Sequence, residues 1–392
     1  MTAVAPDTGR LSRALLFAAA LCAGVTVANI YLAQPIIGPV ADTFGTSPQT
    51  AGIVVTAGML GYSAGLLFVI PLGDSRDRRT MVGALSVLTA LLLVGSSLAP
   101  SLPVLAALTG LAAVTTVVPQ ILIPLVVQLA DPAQRGTAMS WVQAGLITGI
   151  MGARVVSGQL AGLLGWRWVF AAAAVLTLVV GLWTVHVLPS DGARNSVSYW
   201  ALLRSLPGYL RREPGLRRAC LRQAGSFAAF NAVWTTLALV LTAPPHGFTV
   251  AEAGLVGLLG LLSAALAPVA GKMVDRRGPR LVGALGLTVL AFAALVLILG
   301  TNSLIALLIG TAAVPIGLQV GQAANQNAAL SVDPAAGGRL NTIFMLSTFL
   351  AGAIGSAAGS LTYGLHGWPG VCVTALIFLA LGGIGVRRIR YR

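Results

Sequence analysis

Stretches of about 20 apolar residues recur along the whole chain, and the charged residues are confined to short clusters between them. A run of this length, wound as a helix, crosses about 30 Å of hydrocarbon. Because lipid offers no partners to backbone amides, such a run satisfies its own hydrogen bonds as a helix. Strands of an outer-membrane barrel would be shorter and would alternate in hydrophobicity. Only 9% of the residues are charged, which excludes the water-exposed surface of a soluble domain.

The predicted fold class is all-α membrane, with twelve transmembrane helices arranged as two six-helix pseudo-repeats. Spans 1 to 12 are predicted at residues 14–38, 49–72, 80–99, 102–130, 138–163, 168–188, 219–242, 251–271, 281–300, 303–331, 339–363 and 369–386. The predicted parts of the chain are an N-terminal six-helix bundle at 1–188, a cytoplasmic linker at 189–218 and a C-terminal six-helix bundle at 219–392. Basic residues precede span 1 as in a signal peptide, but the apolar run continues past Pro35, so we expect a retained helix.

The positive charges mark one side of the membrane. The formal net charge is +14, and all but three of the 24 Lys and Arg residues fall in seven segments on one side of the predicted spans. Cytoplasmic loops carry such an excess, which predicts a bacterial inner-membrane protein with both termini in the cytoplasm. We favour this interpretation over nucleic-acid binding because the basic residues are spread over alternate loops. In the linker they are mixed with aromatic residues and leucines, which indicates either an amphipathic segment at the membrane surface or a solvated linker.

Three loop motifs recur about half a chain length apart, as in a duplicated sequence. Segment 73–79 shares a Gly and an Asp-Arg-Arg run with segment 271–277, which begins 198 positions later. The Asp-Pro pair at 131–132 recurs at 333–334, and the Gly-Trp pair at 165–166 recurs at 367–368. Because each half holds six spans, the two copies have the same orientation. Such parallel repeats are a transporter architecture with the substrate site between the halves, near the midplane.

At these loops the chain resembles the major facilitator superfamily. The family signature between helices 2 and 3 reads Gly-x-x-x-Asp-Arg-x-Gly-Arg, and GKMVDRRGPR, from Gly271 to Arg280, is similar to it. The first copy, GDSRDRR, is followed by Thr80 where the second Gly of the signature belongs. The resemblance covers the whole chain and implies a transporter of small molecules.

Four further segments resemble a bacterial efflux branch related to drug:proton antiporters and to sugar and nucleoside exporters. They are NIYLAQP at 29–35, GARVVSG at 152–158, AANQ at 323–326 and RLNT at 339–342. The antiporters usually carry a Gly-Pro pair in helix 5, where this chain has Ala153-Arg154. This resemblance implies export and does not fix a substrate.

The resemblance also implies that the repeated loops act as conformational latches. Asp77 would bind the start of helix 11 near Arg339 when the cytoplasmic side is closed, and Asp275 would bind helix 5 near Arg135. A solvated turn is the alternative for each acid. The residues of the predicted latch are Gly73, Asp77, Arg78, Asp275, Arg276 and Arg339.

Arg154 lies well inside span 5. An Arg at the centre of a membrane helix costs about 2.5–3.5 kcal/mol on insertion scales, so such a charge faces a cavity or a partner. We predict that it binds an anionic or carbonyl-bearing group, or belongs to a coupling network. A structural Arg capped by helix-end carbonyls, or one that reaches out to the interface, is the alternative.

Amide and aromatic side chains in the spans are the other candidates for a binding site. On span 10 they recur at spacings of three and four, which places most of them on one stripe of the helix. Such stripes line a cavity or hold helices together, and the sequence leaves both open. On span 1, Tyr31 and Gln34 share a face from which Asn29 points away. The predicted substrate-binding residues are Arg154, Gln34, Tyr31, Gln120, Asn231, Trp234, Gln319, Gln322, Asn325 and Gln326.

Glycines cluster in spans 2, 5, 8 and 11, where they let backbones approach closely. The resemblance implies that these four helices form the contact between the halves. Ordinary helix packing is the alternative, but it would not need glycines in these four spans in particular. The glycines assigned to this contact are Gly61, Gly65, Gly145, Gly149, Gly254, Gly257, Gly260, Gly355 and Gly359.

The function predicted from these features is export of small organic molecules, drug-like or metabolite, by alternating access with proton antiport. An uptake permease or an uncoupled facilitator for sugars or nucleosides is the alternative. An enzyme is not expected, because the three histidines lie at span ends and no acidic residue lies deep in a span. A channel is not favoured, since the duplicated loops look like latches.

Proton antiport usually needs a group that titrates inside the membrane. Asp42, at the outer end of span 1, is the nearest acid, and a solvated loop acid is the alternative for it. Substrate and proton could instead compete through Arg154. The three cysteines are far apart, so no metal or cofactor is expected. The expected partners are the lipid bilayer, a small-molecule substrate and protons, with no nucleic acid, and the expected state is a monomer.

Overall fold

The computed structural model describes residues 12–74, 76–131, 135–190, 199–333 and 336–386, and every regular element within these residues is a helix. The α-helices are α1 (Arg13–Ala28), α2 (Ile37–Phe44), α3 (Pro48–Ala51), α4 (Ile53–Phe68), α5 (Arg78–Ser97), α6 (Leu102–Thr115), α7 (Val118–Leu129), α8 (Arg135–Leu164), α9 (Trp166–Val187), α10 (Tyr199–Arg212), α11 (Pro214–Thr242), α12 (Val250–Leu255), α13 (Leu261–Arg277), α14 (Pro279–Leu299), α15 (Leu304–Leu330) and α16 (Gly337–Ile384). Short 3-10 helices at Gln34–Ile36, Ile70–Asp74 and Val256–Gly260 connect some of them. The basic residues at the two chain ends, including Arg10, lie outside the described residues, as do the prolines of the Asp-Pro repeat.

All twelve predicted spans have a counterpart in the described helices. Within the described residues, nine helical stretches, with adjoining segments counted together, are long and apolar enough to cross a membrane. One of them, α16, holds spans 11 and 12, which meet at the non-helical Gly367. The shorter apolar helices Arg13–Ala28 and Val250–Ser263 hold spans 1 and 8. The predicted all-α membrane fold with two six-helix repeats is confirmed.

Span 1 is a broken helix, whereas the sequence predicted one continuous helix over 14–38. α1 ends at Ala28, and turns at residues 29–33 lead into the next 3-10 helix and α2. Pro35 explains the break, because its ring lacks an N–H and clashes with the carbonyl four residues earlier, that of Tyr31. The break leaves Tyr31 and its neighbours off a regular helix at the depth where a substrate site is expected.

Span 4 is also divided into two helices at a proline. α6 ends at Thr115, four residues before Pro119, and α7 begins at Val118. A proline at the second position of a helix costs no hydrogen bond, since that N–H has no partner within the helix.

The Gly-Trp repeat builds the same corner in both halves. Gly165 and Gly367 have φ angles of 91° and 62°, which side chains other than glycine rarely adopt. The tryptophan after each glycine donates a hydrogen bond from Nε1 into its own half, to Thr43 Oγ1 at 2.8 Å and to the Leu297 carbonyl at 2.7 Å. The duplication therefore extends from sequence to local structure.

The repeated Asp-Arg-Arg loop differs between the halves. Asp77 is the N-cap of α5, and Thr80 donates to Asp77 Oδ2 from its N–H at 3.3 Å and from Oγ1 at 2.8 Å. In the second copy α13 continues through Arg277 and ends at Gly278, whose φ is 80°. Gly278 therefore occupies a position that favours glycine, whereas Thr80 lies inside a helix and strengthens its cap. This difference accounts for the departure from the family signature at Thr80.

The two halves meet through α4 with α16 and through α8 with α12. Gly158 faces Gly254 so closely that a Cβ on Gly158 would lie 2.8 Å from the Cα of Gly254. Gln159 Nε2 donates to a backbone carbonyl of α12 at 2.8 Å, and Gly52 faces Ser360 in the other pair. These contacts lie at the end of the bundle away from the basic loops, which we call the closed end.

Most of the glycine clusters do not lie between the halves, which corrects the interpretation of the sequence. The glycines of span 8 do face α8 across this contact. Those of the other three spans pack inside their own half: Gly61 on Gly110, Gly65 on Val114, Gly145 on Ala20, Gly149 on Gly24, Gly355 on Ala228 and Gly359 on Ala232. The reason is that any close crossing of two membrane helices needs small residues, whichever helices cross.

The linker contains an amphipathic helix, α10. Leu206 is buried, and Leu203 and Tyr209 pack against the hydrophobic core. The arginines of α10, Arg204, Arg211 and Arg212, are exposed. This pattern favours the amphipathic interpretation of the segment, whereas residues 191–198 lie outside the described part and the domain boundaries stay predictions.

Candidate functional site

A cavity of about 720 Å³ lies between the two halves. It begins at Tyr31 and Ile150, inside the bundle, and reaches the basic loops at Arg78 and Arg339. At the other end, the packing of α8 on α12 and of α4 on α16 shuts it off. Ligand pockets in proteins measure about 300–1,000 Å³, so the cavity has room for a small organic molecule.

Amide side chains are the main polar groups of the cavity wall. Four of the predicted substrate-binding residues line it: Tyr31, Gln120, Gln322 and Gln326. Further polar lining residues were not predicted as substrate-binding, among them Tyr62, Gln128, Gln143 and Asn341. Uncharged amides in or beside apolar spans were the signal that could have identified most of them. Among the described lining residues there is no Asp, Glu or His.

Arg154 lies one helical turn beyond Ile150, where the cavity ends. Only 3% of its surface is exposed. Its Nε donates to Gln34 Oε1 at 2.9 Å, and its Nη1 donates to the Ile150 carbonyl at 2.7 Å. The structure thus brings together two residues, Arg154 and Gln34, that the sequence analysis proposed for the site.

Three aromatic rings surround the Arg154 guanidinium. Its central carbon lies 4.8 Å from the ring centroid of Tyr31, 4.4 Å from that of Trp234 and 5.7 Å from that of Phe230. A desolvated cation–π contact stabilises the cation by about 2 kcal/mol. Tyr31 belongs to the first half and the other two rings to α11, so the guanidinium is held between the halves.

No carboxylate among the described residues forms an ion pair with Arg154. Of the described acids, Asp42 is exposed near the C-terminal end of α2. Glu213 is the N-cap of α11 at the opposite end of the bundle, and Glu252 on the neighbouring α12 is exposed. An unpaired charge in the interior is strongly destabilising, so the rings and the two oxygen acceptors offset only part of that cost.

Four buried polar atoms, on these residues and on the same stretch of α11, have no hydrogen-bond partner. Three are donors: Arg154 Nη2, Gln34 Nε2 and Trp234 Nε1. The fourth is an acceptor, Asn231 Oδ1, whose amide nitrogen donates to a carbonyl of its own helix at 2.9 Å. An unsatisfied buried polar atom costs about 1–3 kcal/mol, and native proteins contain few of them. Their concentration around one cation is typical of a binding site.

A row of aromatic rings joins the cavity to this cluster. Tyr62 lies 4.3 Å from Phe349 between ring centroids, and Phe349 lies 5.2 Å from Phe227. Phe227 lies 5.9 Å from Phe230, which is 5.7 Å from Trp234. Aromatic pairs at such distances attract one another beyond their buried area. The row, which we call the aromatic path, leads from the cavity wall to the Arg154 guanidinium.

The mouth of the cavity is positively charged on both halves. Arg78 Nη1 donates to Gln128 Oε1 at 2.9 Å in the first half. Arg339 Nη1 donates to Tyr209 OH at 3.3 Å, which ties α16 to α10. The predicted closed-state contact between Asp77 and the start of helix 11 stays a prediction, because here Asp77 caps α5. On the second copy, Asp275 and Arg276 are exposed at the end of α13, and the side chain of Arg135 lies outside the described part.

Several predicted residues lie away from the cavity. Asn325 Oδ1 accepts from Arg222 Nε at 2.7 Å, and Asn325 Nδ2 donates to Gln223 Oε1 at 3.3 Å. This face of span 10 therefore holds helices together, while the face with Gln322 lines the cavity. Gln319 is not among the described lining residues. Asn29 donates to Thr177 Oγ1 at 3.1 Å, which agrees with the prediction that it points away. Over the described ranges, no cluster of three or more His, Cys, Asp or Glu residues could hold a metal ion.

The helices, their duplication and the polar cavity between the halves define a membrane transporter. The model of the Major Facilitator Superfamily matches residues 17–332 and 219–392 of the chain. The chain belongs to this superfamily, in agreement with the resemblance of its loops. It is a multi-pass membrane transporter of small molecules and not an enzyme.

Its curated relatives are transporters too. The chain is 40% identical over 376 residues to a probable transporter of Streptomyces coelicolor, across 96% of this chain and 87% of the relative. It is 36% identical over 366 residues to the uncharacterized transporter YgaY of Escherichia coli, across 93% of this chain and 92% of the relative. It is 28% identical over 240 residues to the purine ribonucleoside efflux pump NepI of Salmonella paratyphi A, across 58% of this chain and 57% of the pump.

Solved structures with the same fold cover nearly the whole chain. A D-xylose-proton symporter superposes with a TM-score of 0.76 at 16% identity, across 95% of this chain and 96% of the symporter. A bacterial homologue of the human lysosomal transporter Spinster, in an inward-facing and occupied conformation, gives a TM-score of 0.75 at 14% identity, across 96% of both chains. At these identities the likeness establishes the fold alone.

Proposed function

We propose that the chain is a secondary transporter that exports small organic molecules, drug-like compounds or metabolites, by alternating access. The observation that carries the proposal is the cavity between the halves, which reaches the basic loops and is shut off at the closed end. Since basic loops mark the cytoplasmic side, this conformation receives substrate from the cytoplasm. A bacterial inner-membrane location with both termini in the cytoplasm is part of the same proposal.

The contacts between the two halves at the closed end are weak enough for the halves to separate there. They are made largely of small residues and backbone, as between Gly158 and Gly254 and between Gly52 and Ser360. Among the described side chains of α8 and α12, the hydrogen bond from Gln159 to an α12 carbonyl crosses this contact. Opening this end while the basic end closes would expose the cavity to the other side, as rigid motion of the two repeats requires.

The distant similarity to an efflux pump supports export over uptake. The segments that resemble bacterial exporters support the same direction. Proton antiport is the driving reaction that we propose. Because the described lining residues include no acid, the proton would be exchanged outside the cavity, and Asp42 is the group proposed for it.

Transport into inside-out vesicles tests the proposal. A panel of drug-like compounds and metabolites is offered with and without an imposed pH gradient, and vesicles that lack the transporter serve as the control. We expect at least one compound to accumulate above its equilibrium level. Equilibration without accumulation would identify a facilitator, and accumulation only in right-side-out vesicles would identify an uptake permease; either result overturns the proposal.

A further inference from the structure

The three unpaired donors at Arg154, Gln34 and Trp234 favour one kind of ligand atom, a hydrogen-bond acceptor. Arg154 Nη2, Gln34 Nε2 and Trp234 Nε1 all donate, and each of the three side chains is at least nine-tenths buried. Gln34 and Arg154 are already joined by a hydrogen bond, so their free donors flank one contact. An ionised carboxylate only accepts hydrogen bonds and has about four acceptor positions. Three unpaired donors beside one cation therefore match a carboxylate better than any cationic or donor-rich group.

The charge of the cavity points the same way. Its described lining includes Arg78 and Arg339 and no acidic residue. Arg154 adds a buried positive charge beyond the inner end, with no acid to neutralise it among the described residues. A cavity whose charged groups all have one sign raises the local concentration of ligands of the opposite charge. One buried guanidinium balances one negative charge, which favours a monoanion over a phosphate dianion.

The aromatic path defines the rest of the ligand. Tyr62, Phe349 and Phe227 line the cavity, and the row continues through Phe230 and Trp234 to the guanidinium. A planar or apolar body packs on such rings, while the amides nearer the mouth accept or donate hydrogen bonds to its substituents.

We infer that the transported molecule is an organic monoanion, with a carboxylate that binds Arg154, Gln34 and Trp234 and an aromatic or apolar body that lies along the aromatic path. The inference deepens the proposed function, on which it rests only for the claim that the cavity is the transport route. Binding to the purified protein tests it separately from transport.

Matched pairs of acids and amides provide the probes. Benzoate, phenylacetate and cinnamate are each compared with the corresponding amide, by thermal unfolding and by equilibrium binding to the purified full-length protein in detergent. We expect saturable binding of at least one carboxylate, with the amide about 10- to 100-fold weaker, the range set by a hydrogen-bonded charge. Arg154→Leu should bind the acid more weakly by the same factor and should bind the amide as the wild-type protein does. Arg154→Lys should retain part of the affinity, because Lys keeps the charge without the planar fork.

Arg167 supplies the matched control. It also lies 4.4 Å from a tryptophan ring, that of Trp166, and donates to the Ser97 and Ala99 carbonyls, away from the cavity. Arg167→Gln should bind the acids as the wild-type protein does. Trp234→Phe keeps an aromatic ring and removes one hydrogen-bond donor, so it should weaken the binding of acids by about 2- to 10-fold. This variant tests the inference if Arg154→Leu does not fold.

Three results would overturn the inference: equal binding of acids and amides, undiminished binding of acids to Arg154→Leu, or no binding of any carboxylate in the panel. If acids bind through Arg154 but vesicles transport nothing, the proposed function fails and the inference stands. If vesicles accumulate only neutral or cationic compounds, the inference fails and the proposed function stands.

Discussion

Arg154 is contacted by groups from both halves, through Gln34 and Tyr31 on one side and Trp234 on the other. Replacing it with Leu removes a buried charge, and replacing buried charges by apolar residues is often neutral or stabilising by about 1–4 kcal/mol. We therefore expect Arg154→Leu to insert and fold at least as well as the wild-type protein. Transport per folded molecule should be lost or should change in specificity.

Proteoliposome transport, normalised to the monodisperse protein recovered after purification, checks this prediction. Arg154→Lys should restore part of the rate. A Leu variant that transports the same substrates at the wild-type rate would show that Arg154 only supports the fold.

At this scale the sequence could identify residue types but not their partners. Arg154 could be identified because a charged residue inside a membrane span is costly and is usually functional. The residues of span 10 advance by about 100° each, so Gln322 and Gln326 lie about 40° apart and Asn325 about 60° to the other side. Periodicity alone cannot decide which side faces the cavity. The choice depends on Arg222, which lies far away in the sequence and binds Asn325.

Among the elements, the loop before α5 can be tested with two substitutions at one position. Asp77 caps the helix, and Asn is as good an N-cap as Asp whereas Ala is not. Asp77→Asn should keep stability but lower transport if the negative charge forms a closed-state latch. Asp77→Ala should also lose about 0.5–2 kcal/mol of stability.

Transport rates and thermal unfolding of both variants separate the two roles. Asp275→Asn is expected to be milder, because the second loop ends a helix at Gly278 and is built differently. Wild-type transport by Asp77→Asn would refute the latch.

The contact between α8 and α12 offers a second test among the elements. A Cβ at Gly158 would meet the α12 backbone, 2.8 Å from the Cα of Gly254, whereas one at Gly152 would meet nothing within 4 Å. Gly158→Val should therefore keep the closed end from shutting, and Gly152→Val should have little effect. Alkylation of a cysteine introduced at Gln49, at the closed end, measures this: the rate should rise several-fold in Gly158→Val only.

The number and length of the spans could be predicted from the sequence. The contacts between helices, which depend on packing, could not. Span lengths follow from the thickness of the bilayer. The break in span 1 follows from Pro35, but a proline inside a membrane span also occurs in merely kinked helices. The glycines of spans 2, 5 and 11 were assigned to the wrong contact, because a small residue shows that a helix is close and not which helix it is.

For the whole molecule, the buried charge and the acid-free lining predict how export is driven. Moving one negative charge out of a negative cytoplasm is favourable by about 2.3 kcal/mol per 100 mV. In inside-out vesicles, an interior-positive potential without a pH gradient should therefore increase accumulation of a carboxylate and leave its amide unaffected.

If protons are exchanged, an imposed pH gradient should increase accumulation of the carboxylate further. Asp42→Asn should abolish only this pH-driven accumulation, and Asp42→Glu, which keeps a carboxylate, should retain it. Unchanged pH-driven accumulation in Asp42→Asn would exclude Asp42 as the coupling group. A potential alone drives an anion through an uncoupled carrier, so absence of pH-driven accumulation in the wild-type protein would show that transport is not coupled to protons.

The most direct test of alternating access is to lock the closed end. Gly52 on the first half faces Ser360 on the second, and a Cβ at Gly52 would lie 2.9 Å from the Ser360 Cβ. A disulfide spans about 3.5–4.5 Å between Cβ atoms, so the two segments must separate slightly to form one. The variant combines Gly52→Cys and Ser360→Cys in a protein whose native cysteines, all buried, are replaced by alanine. We expect oxidation to stop transport, reduction to restore it, and ligand binding from the basic end to persist in both states. Wild-type transport by the fully oxidised protein would contradict the claim that the cavity between the halves opens alternately to each side.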